Sequence, residues 1–202
     1  MLSEYNTCRH VTVSETQSGG IDDKDSPVRN VHRYWWIEDV NTCWRLNNQN
    51  LSTDASYHHN ACICNNGTNN SRAFHLLVNS TNPAVYNNTL INCYEGMIDT
   101  ASTNGKIYNN IVDSRLRGVQ TSTNQPTLSD YNVFGSSVTD WWYNGTHYGT
   151  LAAYQAASGV DAHSTKQSCQ LSNPPTLGGY ASGNSYDLHL SALSPCRGAG
   201  LS

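Results

Sequence analysis

The residues of this sequence best suited to chemistry are two aspartates, one histidine and a few arginines, and each needs a partner. Asp99 and Asp113 are the nearest thing to a paired acid and base in its regular segments. Glycoside hydrolysis uses two such carboxyl groups, about 5 to 9.5 Å apart. His75 and Arg45 suit a different reaction. Removing the proton beside a uronate carboxylate needs a base, plus a cation to neutralise that carboxylate. Arg115 and Arg117 put two guanidinium groups in the short segment Asp113-Ser114-Arg115-Leu116-Arg117, and such forks grip carboxylates or sulfates. Trp141 and Trp142, and upstream Trp35 and Trp36, offer apolar faces for stacking on sugar rings. Each group also has a plainer reading: turn capping for the aspartates, a solvated surface for His75 and the arginines, and core or cap packing for the tryptophans.

Seven cysteines leave at least one thiol outside an internal pair. Cys169 and Cys196 are placed to form a disulfide. Cys8, Cys43, Cys62, Cys64 and Cys93 are scattered among short apolar segments and read as buried small hydrophobes. Cys62-Ile63-Cys64 lacks a second Cys or His pair at zinc-site spacing.

The elements that must position these groups follow from a repeat. Three segments align without gaps: Val85 to Ile91, Ile107 to Asp113, and Ser129 to Gly135. Asn88, Asn110 and Asn132 are each 22 residues apart. Two residues beyond them stand Leu90, Val112 and Phe134, all apolar. Gly96 and Gly118 keep the same period and are followed by Met97 and Val119. The apolar runs are only a few residues long, rich in Ile, Val, Tyr and Thr and broken by Asn, Gly and Ser. That is strand-and-turn chemistry. A coil of this length accommodates three short strands and three turns, and successive coils stack at about 4.8 Å as parallel sheets. The expected fold is all-β: a single-stranded right-handed parallel β-helix with 22-residue coils, Leu90, Val112 and Phe134 stacked inside, and an Asn ladder along one turn.

Composition agrees with that architecture. The charged fraction is 13%, with 24 Asn and 15 Gly among 202 residues. Disorder normally pairs low hydrophobicity with high net charge and few aromatics, whereas here five Trp and twelve Tyr accompany a net charge of −4. Asn and Gly tolerate the left-handed backbone that tight turns need. A pI near 6.0 gives no general pull towards nucleic acid or anionic membranes, and no apolar run is long enough to span a bilayer. The start, Met1-Leu2-Ser3-Glu4-Tyr5, lacks the basic and apolar regions of a signal peptide.

Upstream the register loosens. Tyr57 to Cys64 resembles the same turn-and-strand unit, 28 residues before Asn88, which places an insertion near Asn65 to Asn70. Arg72-Ala73-Phe74-His75-Leu76 matches the strands after Gly96 and Gly118, and Tyr34 to Leu46 supplies one more coil. The chain therefore divides into an irregular segment over 1–27, coils over 28–135 and a C-terminal cap over 136–202. Ser18 to Asp25 reads as a polar loop. Within the cap, Gly149 to Gly159 predicts a helix with Thr150 as N-cap and Gly159 as terminator, and Asp187-Leu188-His189-Leu190 predicts a last strand.

With these residues assembled, the chain resembles the C-terminal half of pectate-lyase-like parallel β-helix proteins. The resemblance rests on Ser129-Asp130-Tyr131-Asn132-Val133-Phe134, then Gly149 to Gln155 and Asp161-Ala162-His163-Ser164, and finally Asp187 to Leu190, Ser194-Pro195 and Gly198-Ala199-Gly200. It covers about residues 57 to 202. It implies a groove along the sheet that begins after Gly96 and Gly118, a polysaccharide or oligosaccharide partner, and an extracellular or cell-envelope setting. Calcium enters through the resemblance alone, since no acidic calcium cluster accompanies that sheet. If Phe74, Met97, Val119 and Trp44 point inward, then His75, Ile98, Gln120 and Arg45 point outward. Asp161 and His163 read as hydrogen-bonding residues of the cap. The family usually carries more coils, so a homo-oligomer covering the open first coil is a further expectation. The superfamily hosts lyases, hydrolases and non-enzymes, so the residues leave open both a polysaccharide lyase or glycoside hydrolase and a non-catalytic carbohydrate-binding or structural scaffold.

Overall fold

A computed structural model of the chain describes residues 2–4, 7–9, 19–24, 29–38, 40, 42–47, 52–64, 71–76, 80–99, 102–121, 128–176 and 186–200. The chain winds into a parallel β-solenoid with three long sheets. Sheet A stacks Leu2–Glu4, Val31–Arg33, Ser56–His58, Ala84–Tyr86, Lys106–Tyr108 and Leu128–Asp130. Sheet B stacks Thr7–Arg9, Trp36–Glu38, Ala61–Ile63, Thr89–Ile91, Ile111–Asp113, Val133–Phe134 and Thr165–Lys166. Sheet C stacks Gly19–Lys24, Thr42–Asn47, Arg72–Leu76, Glu95–Asp99, Arg117–Thr121 and Asp140–Tyr143, and Thr146–Tyr148 folds back antiparallel on the last of these.

The expected ladder forms and extends one coil further upstream. The side-chain amide of Asn60 donates to Asn88 Oδ1, that of Asn88 to Asn110 Oδ1, and that of Asn110 to Asn132 Oδ1, each at 3.0 Å. The insertion between Asn60 and Asn88 therefore leaves the ladder in register. The residue before each ladder Asn (His59, Asn87, Asn109 and Tyr131) has φ between 55° and 57°. This turn joins sheet A to sheet B, and Asn at two of the four positions suits its left-handed backbone.

Inside, Ile37, Cys62, Leu90, Val112 and Phe134 align along sheet B and are at most 1% exposed. Trp44, Phe74, Met97 and Val119 align along sheet C and are buried as predicted. The rings of Trp44 and Phe74 stack at 4.5 Å. One position earlier in sheet C runs a column of small residues: Gly20, Cys43, Ala73, Gly96 and Gly118. A Cβ on Gly96 would lie 2.4 Å from Val112 Cγ1 and 2.5 Å from the Gly118 carbonyl oxygen. The backbone oxygen cannot rotate away, so Gly96→Ala should cost about 3 kcal/mol. Thermal unfolding should then fall by roughly 6–12 °C; an unchanged Tm would show that the sheets can part at this corner.

Two expectations are corrected. Ser18 to Asp25 is not wholly a polar loop, because Gly19–Lys24 pairs in parallel with Thr42–Asn47. Parallel pairing there is a backbone matter, which the β-poor composition of Gly-Gly-Ile-Asp-Asp-Lys does not advertise. The interior cysteines are buried, but as disulfides rather than free hydrophobes: Cys43–Cys62 and Cys64–Cys93. The predicted Cys169–Cys196 bridge also forms.

The cap follows its sequence signals. The helix spans Leu151–Ser158, with Thr150 Oγ1 accepting from Ala153 N and Gly159 closing it at φ 74°. Asp187–Leu190 pairs antiparallel with Leu171–Asn173. No helix among the described residues is long and apolar enough to cross a membrane.

Candidate functional site

The face of sheet C was the expected groove. Arg45, His75, Ile98 and Gln120 align there on neighbouring strands. The side chains of Arg45, His75 and Asp99 lie outside the described residues. Ile98 is only 4% exposed, so the face is covered at that level instead of open. Gln120 is half-buried and accepts from Arg117 Nη1 at 2.7 Å.

Arg117 is not on a solvated loop. It opens a strand, is buried, and pairs with Glu95 through Nη1 and with Asp140 through Nε at 2.9 Å. Arg72 pairs with Glu95 on the other side at 2.8 Å, and His147 meets Asp140 at 3.0 Å. Charges of alternating sign thus stack along this edge, and the guanidinium of Arg117 is committed to protein carboxylates. Arg115 is half-buried, donates to the Asn92 carbonyl at 3.1 Å and lies over the Tyr94 ring.

Asp113 lies on sheet B and Asp99 on sheet C, so the two aspartates belong to different faces. Burial raises the Asp113 carboxyl above the ordinary aspartate range. Gly135 of the next coil gives it room, for a Cβ there would fall 1.9 Å from Asp113 Oδ1. Trp141 is fully buried against Phe134 and so is not available to a ligand. Trp142 remains half-exposed, sandwiched between the Arg117 guanidinium and the His147 ring.

Asp161 and His163 act in the cap. Asp161 terminates the ladder: its carboxylate accepts from Asn132 Nδ2, Ser129 Oγ and Ser164 Oγ. Burial raises this carboxyl, and the three hydrogen bonds pull it part of the way back. Partial burial also opposes ionisation of Asp130, but hydrogen bonds from the side chain and backbone of His163, with one from Tyr131 N, outweigh it. They hold Asp130 below the usual range.

Among the described residues a concavity lies elsewhere, at the turn between sheets A and B. Tyr34, Trp35 and Trp36 form one wall, His59, Asn60, Ala61, Asn87 and Thr89 the floor, and Tyr186 to His189 of the cap the other side. Its volume is about 460 Å³, within the ordinary range for small-molecule sites. The left-handed turn puts Tyr34 and His59 on successive coils, with their rings 5.5 Å apart. Trp36 is held by its indole N–H, which donates to Glu38 at 2.7 Å. Asp187 accepts from the backbone and ring of His189, which keep its carboxyl below the ordinary range. The Tyr186 hydroxyl is buried and has no hydrogen-bond partner among the described residues.

The sequence shows Trp35 and Trp36 as an aromatic pair but not the cleft that they line. Its walls come from segments more than a hundred residues apart, and only the return of the cap strand brings them together. No family model, no curated protein and no solved structure matches this chain.

Proposed function

We propose that this protein binds a polysaccharide or oligosaccharide in the cleft between Trp36 and the cap strand. The observation that carries the reading is the pairing of aromatic walls with a polar rim. Aromatic faces cover the apolar face of a sugar ring, while His59, Asn87, Asp187 and His189 line the same space with hydrogen-bonding groups. The buried hydroxyl of Tyr186 adds a group that gains a partner when a hydroxylated ligand enters.

Binding without cleavage is the form that the lining residues favour. Asp187 is the single carboxylate among them, whereas glycoside hydrolysis needs two. The likeness to pectate-lyase-like proteins supports a carbohydrate ligand and an extracellular or envelope setting, where three disulfides would persist.

A panel of acidic and neutral oligosaccharides, titrated calorimetrically and assayed in parallel for unsaturated uronates and new reducing ends, tests this. Binding without product is expected. Trp36→Ala and, separately, the exposed Tyr34→Ala should weaken it about tenfold or more, and Trp142→Ala should leave it unchanged. Silence of the folded protein across the panel would overturn the proposal. Loss through Trp142→Ala alone would move the site to sheet C, and product formation would make the protein an enzyme.

A further inference from the structure

Cys43, Cys62, Cys64 and Cys93 come from three successive coils and meet at the corner between sheets B and C. All four are 0% exposed, and their sulfurs lie within 4.8 Å of one another. Across the two disulfides, Cys62 Sγ is 3.5 Å from Cys93 Sγ and 3.9 Å from Cys64 Sγ. A tetrahedral zinc–thiolate centre has Zn–S bonds of about 2.3 Å, which puts its sulfurs roughly 3.8 Å apart. Two of the unbonded pairs already stand near that spacing, and none lies beyond 4.8 Å. Opening the two S–S bonds requires only that each pair separate to match.

We propose that these four cysteines, when reduced, form a tetrathiolate site for a thiophilic divalent cation, Zn2+ foremost. The same corner of the core is then held by metal under reducing conditions and by two disulfides under oxidising ones. Four thiols bind one Zn2+ and release four protons. Oxidation by a small-molecule disulfide reverses this: the four thiolates give up four electrons to two disulfide molecules. Two protein S–S bonds form, four small-molecule thiolates leave, and the Zn2+ is expelled. The apolar surroundings, with Ile37, Ala73, Phe74 and Leu90 also buried in the same core cluster, disfavour free thiolates and exclude water, so the cation enters as the coils close.

The full-length chain is unfolded and reduced with a phosphine, then refolded with Zn2+ or with Co2+ as a spectroscopic substitute. The oxidised protein and the double variant Cys169→Ser/Cys196→Ser are run beside it. The expected result is roughly one metal per reduced chain retained through gel filtration. Co2+ should show thiolate charge-transfer and tetrahedral d–d bands, a small-molecule disulfide should eject the metal, and the oxidised protein should retain none. The double variant should behave as the parent, whereas Cys43→Ser and Cys93→Ser should each lose stoichiometric retention. The proposal fails if the reduced chain folds without retaining metal or stays unfolded with zinc present. It also fails if retention follows Cys169 and Cys196 instead.

Discussion

Replacing Asn110 by alanine is expected to destabilise the protein by about 3–5 kcal/mol, lowering Tm by roughly 6–20 °C in thermal unfolding followed by circular dichroism. Asn110 is 1% exposed and serves three levels of the coil at once. Its amide donates to the carbonyls of Val85 and Tyr108 and to Asn132 Oδ1, while its Oδ1 accepts from both the backbone and the side chain of Asn88. Truncation strands the two Asn88 donors and deprives the carbonyls of a donor, in a place water does not reach. Such orphaned groups cost more than the bonds were worth in net terms. Asn110→Asp should be no gentler, since a carboxylate cannot donate to the three acceptors its amide serves. A Tm within 2 °C or so of the parent for Asn110→Ala would mean that water enters the turn and replaces the amide.

The second large effect is expected at Asp161, where alanine should cost a similar amount, about 3–5 kcal/mol. Asn132, Ser129 and Ser164 all lose their shared acceptor. Alanine must also adopt the left-handed backbone that Asp161 holds at φ 60°. Asp161→Asn keeps one acceptor oxygen and tolerates that backbone, so it separates loss of the acceptor from loss of the charge. Its pH profile is the sharper reading. The Asp161 carboxyl is raised in the folded chain, so its contribution is complete below the ordinary aspartate value and declines as pH rises through the raised one. Asp130, held low by His163, contributes in the opposite sense, fully above the ordinary value and less as pH falls. Urea unfolding from acidic to neutral pH should therefore show Asp161→Asn losing the decline on the alkaline side while keeping the acid-side loss. Identical profiles for parent and variant would mean that Asp161 ionises in the folded chain much as it does in the unfolded one.

What could be read from the sequence was what repeats. The period of the ladder, the inward column after it and the helix caps are properties of residues at fixed offsets, and each formed where expected. The ladder position of Asn60 was readable through its neighbours although its offset differs, because inserting residues at a turn leaves the strand registers untouched. The two core disulfides were not readable. Cys43 and Cys62 sit on different sheets of successive coils, so their meeting depends on a column of small residues that leaves room for sulfur. The cleft was hidden for the same reason: one wall belongs to the solenoid, the other to the returning cap. Arg117 misled, since spacing alone does not reveal that Glu95 and Asp140 stack on either side of it.

The Asn ladder also has a direction. Every amide in it donates towards the C-terminal end, from Asn60 through Asn88 and Asn110 to Asn132, and the last donates to a carboxylate. Aligned amide dipoles add, as they do along an α-helix, so the row carries its positive end at Asp161 and its negative end at the turn of Trp35, whose backbone N–H donates to Asn60 Oδ1. The cap thus supplies carboxyl oxygens at the pole where an acceptor is favoured. It sets the orientation of the terminal amide, and each amide in turn orients the one on the coil above.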